Sequence, residues 1–321
     1  MVKIDLITGF LGAGKTTFIR NYAEYLMGKG ENIGILENDF GAVNVDMMLL
    51  QDLEGEHCEL EMVSGGCDKD CHRRRFKTKL IAMGMCGYDR VLVEPSGVFD
   101  VDEFFDALRE EPLDRWYRVE NVIAIVDAHL SPELSEEADY ILASEVANAG
   151  KILLSKTEDA SAEEKENTIA HLNRALDGVQ CSRRVDPEKE IFAKKWEDLT
   201  EEESKAISEG GYRSESWRKM DLSEDEVFQS LYFMDQKMEV EWAKSIAEEL
   251  LKDPSCGKIH RVKGFLQEEN GQWLELNATA RELTVKPVAV GQDVIIVIGE
   301  KLDKEKISSF FENTVVVHKN S

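Results

Sequence analysis

Along the first half of the chain, short apolar runs alternate with segments whose apolar residues recur at helical spacing. Residues 4–8 read as a buried strand, and residues 15–28 as a helix carrying Phe18, Ile19, Tyr22, Tyr25 and Leu26 at roughly that spacing. The alternation continues with strands at 32–37, 90–94, 121–126 and 151–155 and helices at 73–83, 101–110, 136–147 and 163–175. Strands that are apolar throughout are strands buried on both faces. The pattern therefore predicts an α/β fold, a mostly parallel sheet covered by helices, spanning residues 1–210.

From residue 157 the chain turns polar, with Glu201, Glu202 and Glu203 in succession and a turn signal at Gly210 and Gly211. A linker is expected at 211–226. Beyond it, a strand at 227–234, an amphipathic helix at 239–251, strands at 258–267, 272–276 and 294–298 and a helix at 304–311 predict a smaller α+β domain over 227–321.

Composition narrows the partners. The chain has 321 residues, with 64 acidic against 39 basic side chains and a net charge of -25. Nonspecific nucleic-acid binding draws on a surplus of Lys and Arg, so no nucleic-acid partner is expected. The first residues run into a core strand rather than a signal peptide, and no apolar stretch is long enough to span a bilayer. A cytoplasmic protein with no membrane partner is expected. The six cysteines then point to metal ligation or burial rather than to disulfides.

The strand at 4–8 runs into Gly9-Phe10-Leu11-Gly12-Ala13-Gly14-Lys15-Thr16, a full match to G-x-x-x-x-G-K-[ST] in the strand–loop–helix context that motif requires. Glycines let successive backbone N–H groups turn toward phosphate oxygens, and the helix that follows adds its positive end. Lys15 places a charge at the β- and γ-phosphates and Thr16 offers a hydroxyl to Mg²⁺. Residues 9–17, with Gly12, Ala13, Gly14 and Thr17 included, are thus expected to hold a nucleoside triphosphate. Glu94 ends an apolar strand, where a carboxylate suits a water-mediated contact to Mg²⁺, and Gly97 can present an N–H to the γ-phosphate. After the strand at 151–155, Ser155-Lys156-Thr157-Glu158 is a degenerate Asn-Lys-x-Asp element. Glu158 would accept from guanine N1–H and N2–H₂ and the Lys156 stem would cover the base. This favours GTP over ATP.

Between the phosphate loop and Glu94 lie Glu37-Asn38-Asp39-Phe40-Gly41 and Gly66-Cys67-Asp68-Lys69-Asp70-Cys71-His72, where P-loop switches keep nucleotide-sensitive segments. A C-x₃-C pair lets two thiolates reach one ion, with Glu37, His72, His57 or Cys58 completing the set. The neighbouring Arg73, Arg74 and Arg75 equally suit a redox-sensitive thiol pair without metal. Asp39, by its place in the segment, is the candidate to position attacking water. A small-molecule kinase is a further alternative, but no Arg-rich lid follows the base loop.

These residues together resemble the CobW-like metallochaperone GTPases of the CobW/HypB/UreG group. Residues 9–17 are similar to that family's phosphate loop almost letter for letter. Residues 37–41 resemble its Asn-Glu-Phe-Gly segment, 94–97 its Glu-x-Ser/Thr-Gly element and 155–158 its base loop. Residues 261–265 and 294–299 resemble its C-terminal domain. The resemblance implies slow GTP hydrolysis coupled to handling a divalent metal, Zn²⁺ first with Co²⁺ or Ni²⁺ as alternatives, for a client metalloprotein or cofactor-assembly protein. It places the metal at Glu37, Cys67 and Cys71. The family's Cys-x-Cys-Cys motif is altered here, for the two middle thiols are absent and Cys71 lies one position beyond the usual end.

Overall fold

The computed structural model describes residues 1–39, 45–64, 69–95, 101–220 and 228–312, apart from the side chains of residues 39, 45, 64, 69, 70 and 312. The chain forms two compact units, Met1–Asp221 and Leu222–Ser321.

In the first unit the elements run β1 (Val2–Thr8), α1 (Lys15–Gly28), β2 (Ile33–Asp39), α2 (Val45–Leu50), β3 (Cys58–Ser64), α3 (Lys69–Gly84) and β4 (Arg90–Pro95). They continue with α4 (Val101–Arg109), α5 (Leu113–Trp116), β5 (Tyr117–Asp127), α6 (Glu136–Ala147), β6 (Lys151–Ser155), α7 (Ala162–Gly178), α8 (Pro187–Glu190), β7 (Ile191–Phe192) and α9 (Glu201–Ser208). The seven strands form one sheet in the order β3-β2-β4-β1-β5-β6-β7, with every pairing parallel. Such a sheet is stable only with both faces covered, and β4 is buried at every position. This is the α/β, P-loop nucleoside triphosphatase fold that the pattern predicts.

Because every strand points the same way, the carboxyl ends of β1, β2, β4, β5 and β6 fall on one edge of the sheet. That edge holds the loop after Thr8 together with Glu37, Glu94, Asp127 and Ser155, all near strand ends. Ligands of open α/β sheets bind outside the carboxyl ends of the strands. The fold therefore gathers residues that are up to 149 positions apart in sequence (Gly9 to Glu158) along one rim.

Three features depart from the sequence pattern. β3, whose residues Cys-Glu-Leu-Glu-Met-Val-Ser alternate in polarity, is an edge strand paired only with β2 among the described residues. Its half-solvated alternation is what hides it from a search for continuous apolar runs. The polar stretch after residue 190 contributes Trp196 and Ile207 to the core under α1, with the Trp196 ring edge-on to Phe18 at 5.4 Å between centroids. Residues 211–219, expected as linker, bond to the first unit. Tyr212 bridges Ala149, the Arg213 N–H donates to the Asn148 carbonyl at 2.8 Å, and the Arg218 N–H to the Val179 carbonyl at 2.7 Å.

The second unit comprises β8 (Phe228–Met234), α10 (Val240–Lys252), β9 (Lys258–Gln267), β10 (Trp273–Ala278), β11 (Leu283–Val288), β12 (Val294–Glu300) and α11 (Lys304–Glu312). Its strands form an antiparallel sheet in the order β11-β10-β9-β12-β8. Ile246, Leu250, Val262, Leu276, Val297, Ile307 and Phe311 form its core between the sheet and the two helices. β11 carries Pro287, which lacks a backbone donor, and it stands at the sheet edge where such a residue is tolerated.

Candidate functional site

The phosphate loop is shaped by close backbone approach. A side chain at Gly9 would place its Cβ 2.2 Å from the Ile125 carbonyl oxygen on β5, so only glycine lets the loop pass there. Gly14 has φ 91°, a left-handed conformation at the cap of α1 that turns the chain into the helix. Lys15 is 8% exposed, and its ammonium donates to the Gly9 carbonyl at 2.9 Å across the loop it is expected to serve.

Thr16 is the meeting point of three elements. Its hydroxyl lies 3.0 Å from Asp46 Oδ1, at the head of α2, and 3.2 Å from Glu94 Oε1, at the end of β4. Glu94 and Glu37 are register partners on β4 and β2, and both are buried. A hydroxyl flanked by two carboxylates is a hard-oxygen donor set of the kind Mg²⁺ accepts. Asp46 escapes the sequence reading, although an acidic residue two positions into a helix just after the 37–41 segment is a signal that could have found it.

The base-loop residues also converge. Ser155 is buried and its hydroxyl donates to the Val126 carbonyl at 3.3 Å. A Cβ added to Gly14 would lie 3.8 Å from Ser155 Cβ, so the two loops adjoin. Lys156 has φ 52°, and its ammonium is 2.8 Å from Asp127 Oδ2. Asp127 in turn accepts from the His129 N–H at 2.8 Å. It thus fixes the Lys156 stem from the end of β5, a role the sequence reading does not assign. Glu158 is half exposed and lies 3.7 Å from the Lys195 ammonium. Pairs of this kind contribute about 0–1 kcal/mol, so the carboxylate can change partners cheaply.

The thiol segment is described only in part. Cys67, Gly97 and the side chain of Asp39 lie outside the described residues. Cys71 is partly exposed on α3. Next to it, His72 is buried with Nε2 2.8 Å from Asn38 Oδ1, which ties the start of α3 to the end of β2 beside Glu37. Among the described residues, no group of three or more His, Cys, Asp or Glu side chains is placed to hold a metal ion. His57 bonds Asn32 at 2.7 Å, and Cys58 is buried with its thiol pushed up to about 11 by burial, then by Glu54 and Glu59. Neither is brought to the rim where Glu37 stands, because Cys58 begins β3 at the opposite end from Ser64. Among the described residues, no helix is long and apolar enough to cross a membrane.

A seven-stranded parallel sheet with a G-x-x-x-x-G-K-[ST] loop at its carboxyl edge, and Thr16 set between Asp46 and Glu94, defines a P-loop nucleotide-binding protein. Residues 3–183 match the CobW/HypB/UreG nucleotide-binding domain, and the chain belongs to that family. Among curated proteins, the chain is 32% identical over 184 residues to the zinc chaperone YjiA of Escherichia coli, covering 54% of this chain and 55% of that one. It is 28% identical over 167 residues to the zinc chaperone YeiR of the same organism, covering 52% and 50%. The chain thus spans about half the length of the curated relatives it matches. The Zn(II)-bound YjiA GTPase structure covers 98% of each chain at 20% identity with a TM-score of 0.40.

Proposed function

We propose that the protein is a slow GTP hydrolase that acts as a nucleotide-dependent metal chaperone. The observation that carries this reading is the Thr16 hydroxyl between Asp46 and Glu94, at the mouth of the phosphate loop. Thr16 would hold Mg²⁺ directly, with Asp46 and Glu94 holding it directly or through water. Bound there, Mg²⁺ supplies positive charge to the β- and γ-phosphate oxygens. Lys15 binds the same phosphates, and Ser155, Lys156 and Glu158 select the base. The relatives named as zinc chaperones support zinc as the cargo, with Co²⁺ and Ni²⁺ as alternatives.

Cargo metal is assigned to Glu37, Cys67 and Cys71. Two connections support coupling of that site to nucleotide. Glu37 is the register partner of Glu94, and Asn38 bonds His72 beside Cys71. Asp46 and Glu37 flank the segment 38–45, so a change in what Asp46 binds acts on the same stretch of chain that leads to Glu37. The second unit is assigned as the CobW-type C-terminal domain, in which the motif strands β9 and β12 are direct neighbours.

Metal analysis of anaerobically purified protein, with and without GTP, tests the cargo site. One zinc ion per chain is expected, with affinity that differs between the GTP and GDP states. Cys67→Ala with Cys71→Ala is expected to remove it and to end the effect of zinc on GTP turnover. A double variant that keeps stoichiometric metal at unchanged affinity would refute the assignment. For the base loop, Glu158→Ala is expected to cost about 1–3 kcal/mol of GTP binding while leaving ATP binding unchanged. Competition titration of GTP against ATP reads this directly, and an unchanged preference would assign base selection elsewhere.

A further inference from the structure

α6 places a carboxyl group where the phosphate machinery has no assigned use for one. Every residue from Tyr140 to Ala147 on this helix is buried, and Glu145 among them is 1% exposed. Neither of its side-chain oxygens has a hydrogen-bond partner at full geometry. Among the described residues, the charged group that acts on it is the Lys15 ammonium, and the polar one is the Gly9 N–H, which interacts too weakly to count as a full bond. Glu145 is therefore set against the phosphate loop at Gly9 and within electrostatic reach of Lys15, and Lys15 and Gly9 are themselves joined by the ammonium-to-carbonyl bond at 2.9 Å.

The chemistry of a carboxyl at this position has two states with different consequences. As a neutral acid it fills space against the loop and leaves the Lys15 charge to whatever anion the loop holds. As a carboxylate it adds a full negative charge behind the loop, attracts Lys15 away from the phosphates and repels the phosphates themselves. We propose that Glu145 is a positioning residue of the phosphate loop whose proton is linked to nucleotide binding: the protonated form sets Lys15 and Gly9 for phosphate, and the ionised form opposes it. The proton is exchanged with solvent when nucleotide enters or leaves. This rests on the reading of Lys15 as a phosphate ligand. Burial, only partly offset by Lys15 and then by Gly9, pushes the carboxyl up to about 8, which puts the exchange within reach of ordinary solution conditions.

Calorimetric titration with Mg-GDP tests the link, with Glu145→Gln measured alongside so that ionisation of the nucleotide's own guanine N1–H toward the upper end of the pH range cancels in the comparison. At a pH of about 8, binding to the wild-type protein is expected to take up about half a proton per nucleotide. The uptake is read from two buffers of different ionisation enthalpy. Between one pH unit below and one above that value, wild-type affinity is expected to fall by up to about tenfold relative to Glu145→Gln. The variant should take up no proton. Equal proton uptake and equal pH profiles in the two proteins would overturn the proposal. If Glu145→Gln does not fold, absence of proton uptake by the wild type overturns it alone, and Glu145→Met provides the second comparison. Lys15→Ala separates this result from the underlying reading. If that variant binds Mg-GDP normally, the loop assignment has failed, whatever Glu145 does.

Discussion

Lys15→Ala is expected to weaken Mg-GTP binding by roughly 2–5 kcal/mol, at least about thirtyfold in Kd, while the protein remains folded. Lys15 is nearly buried, and its ammonium is held by the Gly9 carbonyl at 2.9 Å, so the charge is already directed into the loop. Binding then loses a localised, desolvated charge rather than a screened surface one. The folded state loses one buried hydrogen bond, and the Gly9 carbonyl is left to water or to the neighbouring backbone. Titration with a fluorescent guanine nucleotide measures the first effect and thermal unfolding the second. Thr16→Val should separate the two components of the site. It keeps Lys15 but removes the hydroxyl between Asp46 and Glu94, so binding should lose its dependence on Mg²⁺ more than its dependence on phosphate. Wild-type affinity in Lys15→Ala would refute the phosphate-loop reading.

The largest effect on stability is expected at Arg90. Its guanidinium is 3% exposed and lies 2.7 Å from Asp5 Oδ2, while its Nε is 2.8 Å from Glu31 Oε2. Asp5 is fully buried in the central strand β1, where it also accepts from the Tyr22 hydroxyl at 2.8 Å and from the Asn121 amide at 3.0 Å. Arg90→Met would leave the Asp5 carboxylate in the interior with its cation gone. Removing one member of a buried pair costs about 3–5 kcal/mol, because the remaining charge is left without compensation. Asp5→Asn in the same background should recover part of that loss, since a neutral amide needs no cation and its oxygen still offers an acceptor to the Tyr22 hydroxyl and the Asn121 amide. Denaturant unfolding of the single and double variants decides between this account and a mere packing defect, in which case the double variant would be no better than the single one.

The Glu145 carboxyl also bears on stability, with a definite sign. A carboxyl whose folded value is raised holds its proton in the native state at pH values where the unfolded chain has lost it. Its favourable contribution is present below the ordinary carboxylate range and is lost as pH rises toward about 8. The wild-type protein should therefore lose stability relative to Glu145→Gln across that window. Above it the difference should level off.

Much of the first unit is legible because parallel strands buried on both faces need unbroken apolar runs. β4 and β6 have them and β1 has one interrupted only by Lys3 and the buried Asp5, and these strands lead into the loops that carry Gly9 to Thr16, Glu94 and Ser155 to Glu158. β3 is not legible for the converse reason. It stands at the edge, and its alternating Glu59 and Glu61 reflect a partly solvated strand. Trp196 and Ile207 sit in a stretch whose composition is that of a surface, yet they close the core under α1. Their burial is decided by where the chain returns after β7, which local composition does not record.

The site divides along the same line. The phosphate loop is a local object, for its glycines, its lysine and its threonine act within nine consecutive residues, so the sequence alone determined it. The sequence also determined that Glu94 and the segment 155–158 follow apolar strands. Only the tertiary structure decided which side chains meet. Asp46 joins Thr16 across 30 residues, Asp127 fixes Lys156 across 29, His72 bonds Asn38 across 34, and Glu145 stands against a loop 130 residues earlier in the chain. The physical reason is the parallel sheet. It sets the carboxyl ends of five strands on one edge, and adjacency along that edge follows strand order rather than chain order.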